Sequence, residues 1–217
     1  DLVSRLDDQM HQRRDNKAPL ILMEHNNRLK GLEHIPTIYE ALRAGHAINL
    51  HYQSFRALQP SGFTFYPYVL KEFNNRWFLL GRRKDKPKYL YTLALDRMVK
   101  VEVLRGEQVV QPADFDPERY FGEMIGVSRN DADRPQTVKF WAMPDDAPYI
   151  LTKPFHSTQS VVSEREDGAI LFQMHLIVNR ELIRELLGFG PGILVSEPAS
   201  LAGILRRAHR KAYLLYR

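Results

Sequence analysis

Between Arg76 and Arg105 the chain sets short apolar runs between polar breaks at a spacing that strands satisfy and helices do not. Trp77 to Leu80 is one run, Tyr89 to Leu93 a second, and Val99, Val101 and Val103 then alternate with Lys100, Glu102 and Leu104. Four- and five-residue runs rich in aromatics, separated by a Lys- and Pro-containing connector, predict two strands and a polar loop, and the period of two after Arg97 predicts a third strand with one face buried. The stretch carries nine Lys or Arg against three acids, so this β-meander is also strongly cationic.

The residues before it extend the sheet. Ile48, Leu50 and Tyr52 alternate with Asn49 and His51, which predicts a half-buried strand. Pro60-Ser61-Gly62 is a turn, and Phe63 to Leu70 is a further strand in which Pro67 demands an edge position or a bulge. Asn74-Asn75 predicts a hairpin turn. Five short strands with tight turns and one long loop predict a small barrel or a strongly bent sheet. Upstream, Ile35-Pro36 opens a helix in which Ile38, Ala41 and Leu42 share a face, and Gly45 is placed to end it. Leu2, Leu6 and Met10 stand at helical spacing, as though the chain began inside a helix of a larger protein. Residues 19 to 23 are a short apolar run that suits a strand or an extended bridge.

From Gln111 to Gly126 the texture changes, with Pro112, Asp114, Asp116, Pro117 and Gly122 marking a linker. A different pattern follows. Thr137 to Ala142 is a strand, Pro144 to Leu151 a short helix, Gln159 to Ser163 a strand and Asp167-Gly168 a hairpin turn. Ile170 to Val178 alternates as a long strand. Asn179 caps a helix whose Leu182, Ile183, Leu186 and Leu187 point inward until Gly188 stops it, Ile193 to Val195 is a strand, and Leu201, Ile204, Leu205, Ala208 and Ala212 mark a last amphipathic helix. The order βαββαβα predicts a ferredoxin-like domain with a terminal helix.

Charge divides the same way. Residues 1 to 112 hold 18 basic and 12 acidic side chains and residues 113 to 217 hold 13 and 14, so the whole excess of +5 comes from the first half. An anionic partner for that half is expected. A second basic group, Arg206, Arg207, Arg210, Lys211 and Arg217, closes the chain with no acid after Glu197. There is no cysteine, which excludes disulfides and thiolate chemistry and fits a cytoplasmic protein. No apolar run approaches the roughly 20 residues that cross a bilayer as a helix, so no membrane partner is expected. The eight His residues are scattered singly, none at the spacing of a helical zinc site, and neither a metal nor a cofactor is expected. His156, between Phe155 and Ser157, reads as a hydrogen-bonded structural residue. Gly188-x-Gly190-x-Gly192 follows a helix and enters a strand, the reverse of a dinucleotide fingerprint. There is no Walker A motif, no nucleophile elbow and no catalytic constellation, so the chain is not expected to be an enzyme.

Trp77-Phe78-Leu79 followed by Leu95-Asp96-Arg97-Met98, with Ile48-x-Leu50-x-Tyr52 and Pro67-x-x-Leu70 upstream, resembles the WYL domain of bacterial transcriptional regulators. The second half, with Phe155-His156-Ser157-x-Gln159 and Leu187-Gly188-Phe189-Gly190, resembles the C-terminal extension domain that accompanies it. The phrase Phe115-Asp116-Pro117-x-x-Tyr120-Phe121 is similar to the family's connection between the two. The chain departs from the family at Tyr91 and Ala94, where relatives carry cations, and the N-terminal winged helix-turn-helix is missing.

The resemblance implies an α+β protein: a helical bridge over 1–45, an Sm-like or SH3-like small β-barrel over 46–111, a linker over 112–135 and the ferredoxin-like domain over 136–217. It implies a non-enzymatic, effector-sensing and dimerising region, a homodimer that reaches promoter DNA through an N-terminal domain. The effector would be a nucleic acid or nucleotide-like ligand on the basic face of the barrel. Arg97 belongs to that ligand face in the family, together with Tyr52 and Ser54 of the first strand, and Arg82 and Arg83 are the cations placed to compensate for 91 and 94 if their loop folds over the face. Two other readings stay open at this point: a protein-interaction module with no nucleic-acid ligand, and an Sm-like RNA-binding accessory protein distinguished by its use of the 2′-OH.

Overall fold

The computed structural model describes residues 29–217, so the expectations for residues 1 to 28 lie outside the described residues. Gly31, two residues into the described structure, is in the left-handed region, φ 88°, and a Cβ there would stand 2.3 Å from the Leu95 carbonyl carbon. Only glycine lets the chain lie so close to that backbone. A 3₁₀ turn, Leu32–His34, follows, with His34 Nε2 hydrogen-bonded to the Met98 carbonyl at 3.0 Å, and then helix α1, Ile35–Ala44. Gly45 ends α1 in the left-handed conformation, φ 67°, as its position predicts.

Strands β1 (His46–Tyr52), β2 (Ser61–Phe73), β3 (Arg76–Arg83), β4 (Lys86–Ala94) and β5 (Met98–Gln108) form one antiparallel sheet in the order β4-β3-β2-β1-β5. Asn74 and Asn75, both at positive φ, make the β2–β3 hairpin turn. β2 is central and its register shifts between Pro67 and Val69, so the proline sits at a bulge where its missing N–H leaves no gap in a ladder. Gly81 lies under the Phe65 ring; a Cβ there would meet that ring at 2.6 Å. Ile38 and Ala41 of α1 close the inner face over Ile48, Leu50, Phe65, Leu79, Leu93, Leu95 and Met98.

Two local expectations change. Val99 does not share the buried face of Val101 and Val103: a register shift where Tyr52 pairs Met98 and His51 pairs Lys100 turns Val99 outward, 55% exposed, and gives its place to Met98. The connector between β3 and β4 is only Lys84-Asp85, because Arg82 and Arg83 continue β3 and Lys86 to Lys88 begin β4. A two-residue turn cannot fold over a face as the expected longer loop would.

The outer face of this sheet is covered as well. Tyr68 packs on Phe115 at 5.2 Å between ring centres, Phe115 on Tyr120 at 6.2 Å and Tyr120 on Phe121 at 5.1 Å, while Met124 and Val127 are buried. The segment after β5 is thus a packed strap containing helix α2, Pro117–Gly122, whose Asp116 accepts from the Glu118 and Arg119 amides at its N-terminus.

The second half comprises β6 (Gln136–Ala142), α3 (Ala147–Thr152), β7 (Ser160–Glu164), β8 (Ile170–Leu176), α4 (Arg180–Gly188), β9 (Ile193–Glu197) and α5 (Ala199–Leu215). Its antiparallel sheet runs β7-β8-β6-β9. Val138, Phe140 and Ala142 of β6 and Ile170, Phe172, Met174 and Leu176 of β8 bury one face against Leu182 and Leu186 of α4 and Leu201 and Leu205 of α5. Asn179 caps α4 as expected, its side chain accepting from the Leu182 amide at 3.0 Å. Among the described residues no helix is long and apolar enough to cross a membrane, and no group of three His, Cys, Asp or Glu stands close enough to hold a metal.

His156 joins the strap to this half. Nε2 hydrogen-bonds the Gly122 carbonyl at 3.0 Å and Nδ1 accepts from the Thr158 backbone amide at 3.3 Å, while the Thr158 hydroxyl accepts from the His175 amide and donates to the His175 carbonyl. The Gly122 bond requires Nε2–H, which leaves Nδ1 as the acceptor in a neutral ring. Burial lowers the pKa of His156, against the Gly122 carbonyl, which raises it. A folded pKa below the ordinary value near 6.5 means that the stability from this contact is present above that pH and is lost as pH falls below it. The urea midpoint is therefore expected to fall between neutral pH and pH 5, and to fall less in His156→Gln. Equal pH profiles for the two proteins would show that His156 is not the sensing group.

Candidate anion-binding cleft

Arg97 sits in a 3₁₀ turn, Leu95–Arg97, that links β4 to β5, and it is fixed there because Leu95 is buried in the first core. Its guanidinium lies 5.9 Å from the Tyr52 ring centre and 4.9 Å from that of Phe55. Its Nε is 3.5 Å from Asp96 Oδ1, yet both atoms are buried without a hydrogen-bond partner. The other Asp96 oxygen faces Arg76 at 3.7 Å. Aromatic faces and a nearby charge hold this arginine, leaving its planar fork of donors largely unused. Burial raises the pKa of the Tyr52 phenol in spite of the Arg97 charge beside it, so Tyr52 remains a neutral donor at physiological pH.

Arg97 opens onto a cleft of about 550 Å³ between the two halves of the chain. Phe78, Leu90 and Thr92 form one wall, Ser128 and Arg129 of the strap another, and Asn179, Arg180 and Ile183 at the start of α4 a third. Arg129 is held by Glu123 at 2.7 Å and lies 4.9 Å from the Tyr120 ring centre. Asn179 donates to the carbonyls of Ile125 at 2.7 Å and Ser128 at 3.0 Å, which pins the strap wall to α4. Arg97, Arg129 and Arg180 line the cleft with one acid, Asp133, and aromatic and aliphatic surface between them; Glu123 holds Arg129 and Asp96 lies beside Arg97, so Arg180 and the unused donors of Arg97 are what a planar anionic molecule would meet.

The five residues singled out in the sequence do not form one cluster. Tyr52 and Arg97 meet, across 45 positions of chain. Ser54 is exposed in the loop after β1, beside Phe55 rather than on the strand. Arg82 is on the outer face of β3, four residues or about 13 Å along the strand from Phe78, and pairs with Leu90 at the far end of the cleft. Its Nε is also buried and unpartnered. Arg83 points the opposite way, over Phe63 at 4.1 Å and bonded to Asp85 at 2.7 Å, because successive strand residues project from opposite faces. Phe55, Arg129 and Arg180 were not singled out. Phe55 stands three residues after Tyr52, the one local signal available, whereas the other two reach the cleft through the packing of the two halves.

Comparison with known proteins agrees with this division. Residues 33–103 match the WYL domain family and residues 134–213 match the WCX domain family. No curated protein matches the sequence. Among solved structures, a protein described as CRISPR Cas-related is similar over 86% of this chain and 52% of its own length, with 12% identity and a TM-score of 0.52, a likeness of fold. Proteasome accessory factor B/C (PafBC) of Arthrobacter aurescens is similar over 93% of this chain and 30% of its own, with 18% identity and a TM-score of 0.42. The chain spans about a third to a half of the length of these two structures.

Proposed function

We propose that this chain, which carries a WYL domain followed by a WCX domain, is the effector-sensing and dimerising region of a bacterial, cytoplasmic transcription regulator, without enzymatic activity. The domains in this reading are a bridge over 1–45, an Sm-like barrel over 46–111, a linker over 112–135 and a ferredoxin-like domain over 136–217; the strand order β7-β8-β6-β9 supports the last. Its effector is a nucleic acid or nucleotide-like ligand, held by Tyr52 and Arg97, with Ser54 and Arg82 at the margins and Arg83 a peripheral cation. Promoter DNA is reached through a DNA-reading domain outside the described residues, and effector binding shifts the poise of two such heads in a homodimer.

The observation that carries this reading is Arg97: a half-buried guanidinium whose Nε has no partner, within 6 Å of two aromatic ring centres at the mouth of a cleft rich in arginine. Short fluorescent single-stranded DNA and RNA, titrated across a salt series, are expected to bind with an affinity that falls with salt. Arg97→Ala is expected to weaken binding by about 1 to 3 kcal/mol, roughly 5- to 150-fold, with the thermal transition unchanged. Equal affinity in the two proteins would remove Arg97 from the site.

A protein-interaction module remains the second reading, favoured by β7, an edge strand exposed along its whole length with Val161 and Val162 uncovered. It predicts self-association in sedimentation with no salt-sensitive anion binding.

A further inference from the structure

The second basic group of the sequence lines no part of the cleft. We infer that the solvent side of α5 is a separate surface for nucleic acid, gripping the phosphate backbone of a duplex without reading its bases. The helix runs Ala199–Leu215 and is anchored by Leu201 and Leu205, both buried against the second sheet. At 100° per residue, Arg206 and Arg210 form one row and Arg207 and Lys211 an adjacent row, on the side opposite Leu201 and Leu205. All four are exposed.

The blander account is a solvated helix face, and three observations weigh against it. The helix contains no acidic residue, so like charges one turn apart repel with nothing on α5 to offset them. Among the described residues none of the four forms an ion pair, and Glu197, the last acid of the chain, is bonded to Lys139 at 3.2 Å. Nor does the helix dipole explain them: its effect is confined to the last turn, and these residues lie four or more positions before Leu215.

Phosphate is favoured over other anionic partners by the side chains and their layout. Three of the four are Arg, whose planar fork matches phosphate oxygens in pairs. From 206 to 211 the stripe is about 8 Å long, which faces four or five charges of a duplex carrying one per roughly 1.7 Å. A helix lying on a membrane needs an apolar stripe along its length. Here Leu201 and Leu205 are already buried in the domain, and the exposed apolar residues Tyr213, Leu214, Leu215 and Tyr216 are confined to the tip. The surface is electrostatic and therefore indifferent to sequence, which differs in kind from the aromatic-lined cleft at Arg97.

The test is fluorescence anisotropy of a mixed-sequence DNA duplex against the whole 217-residue chain over a salt series. It compares the parent with the fourfold variant Arg206→Ala, Arg207→Ala, Arg210→Ala, Lys211→Ala. Alanine is the best helix former, so circular dichroism and the melting curve of the fourfold variant should match the parent. The fourfold variant is expected to bind the duplex at least tenfold more weakly at low salt, with a log–log salt slope shallower by about 3 to 4. An unchanged slope in the fourfold variant overturns the inference, as does a parent that fails to bind duplex at low salt. So does loss, in the fourfold variant, of binding to phosphatidylserine vesicles with duplex binding intact. Failure of the Arg97 reading would appear separately, in the single-stranded titrations.

Discussion

Phe140→Ala is expected to make the second half of the chain unfold at lower urea than the first. Phe140 is fully buried on β6, the strand between β8 and β9, and its ring stacks on Phe172 at 5.4 Å and meets Phe155 at 5.6 Å. Phe155 in turn contacts Phe189 at 5.4 Å, so one truncation leaves a hole at the centre of four rings. Phe→Ala in such a core costs about 3 to 5 kcal/mol, against a typical whole-domain stability of about 5 to 15. The two tryptophans allow the halves to be followed apart, since Trp77 is on β3 and Trp141 on β6. In urea, fluorescence of a Trp77→Phe background should report the early transition and that of a Trp141→Phe background the later one. Coincident transitions, or a loss below about 1 kcal/mol, would show that the site collapses to fill the space.

Asn179→Ala is expected to cost about 2 to 4 kcal/mol and to weaken binding in the cleft at the same time. The side chain makes three hydrogen bonds in two directions: it caps α4 at the Leu182 amide and holds the strap through Ile125 and Ser128. Loss of the cap and of donors to two carbonyls gives the estimate. Asn179→Asp separates the parts, because it keeps the acceptor for α4 and removes the donors to the strap. Hydrogen exchange of residues 120 to 130 should accelerate in both variants, whereas α4 should loosen only in the alanine protein. A strap that exchanges at the parental rate in Asn179→Asp would show that Tyr120 and Phe121 hold it unaided.

Features set by neighbouring residues were readable in the sequence. Gly45 ends α1, Asn74 and Asn75 turn at positive φ, Asn179 caps α4, and the alternation from Ile170 to Leu176 is a strand buried on one face. What failed depends on partners distant in the chain. The step that exchanges Val99 for Met98 arises from pairing with β1, some fifty residues earlier, so no local period reveals it. Arg82 and Arg83 look like part of a cationic loop, but strand pairing to Tyr66 and Phe65 extends β3 through them and sends them to opposite faces. Charge density alone does not report direction. Residues 111 to 126 have the composition of a linker, and only the aromatic surface offered by Tyr68 makes them a packed strap. The encounter of Tyr52 with Arg97 was expected through family resemblance, whereas the cleft beside it belongs to the packing of two domains.

The turn that holds Arg97 is touched from two sides. On one side its guanidinium faces the cleft; on the other, Gly31 lies so close to the Leu95–Asp96 peptide that no side chain fits between them. The turn is three residues long and Leu95 is locked in the core, so it has little slack with which to absorb a push. A displacement of this turn would therefore meet the Gly31 backbone at once, and the absence of a Cβ at Gly31 is what lets the two backbones touch.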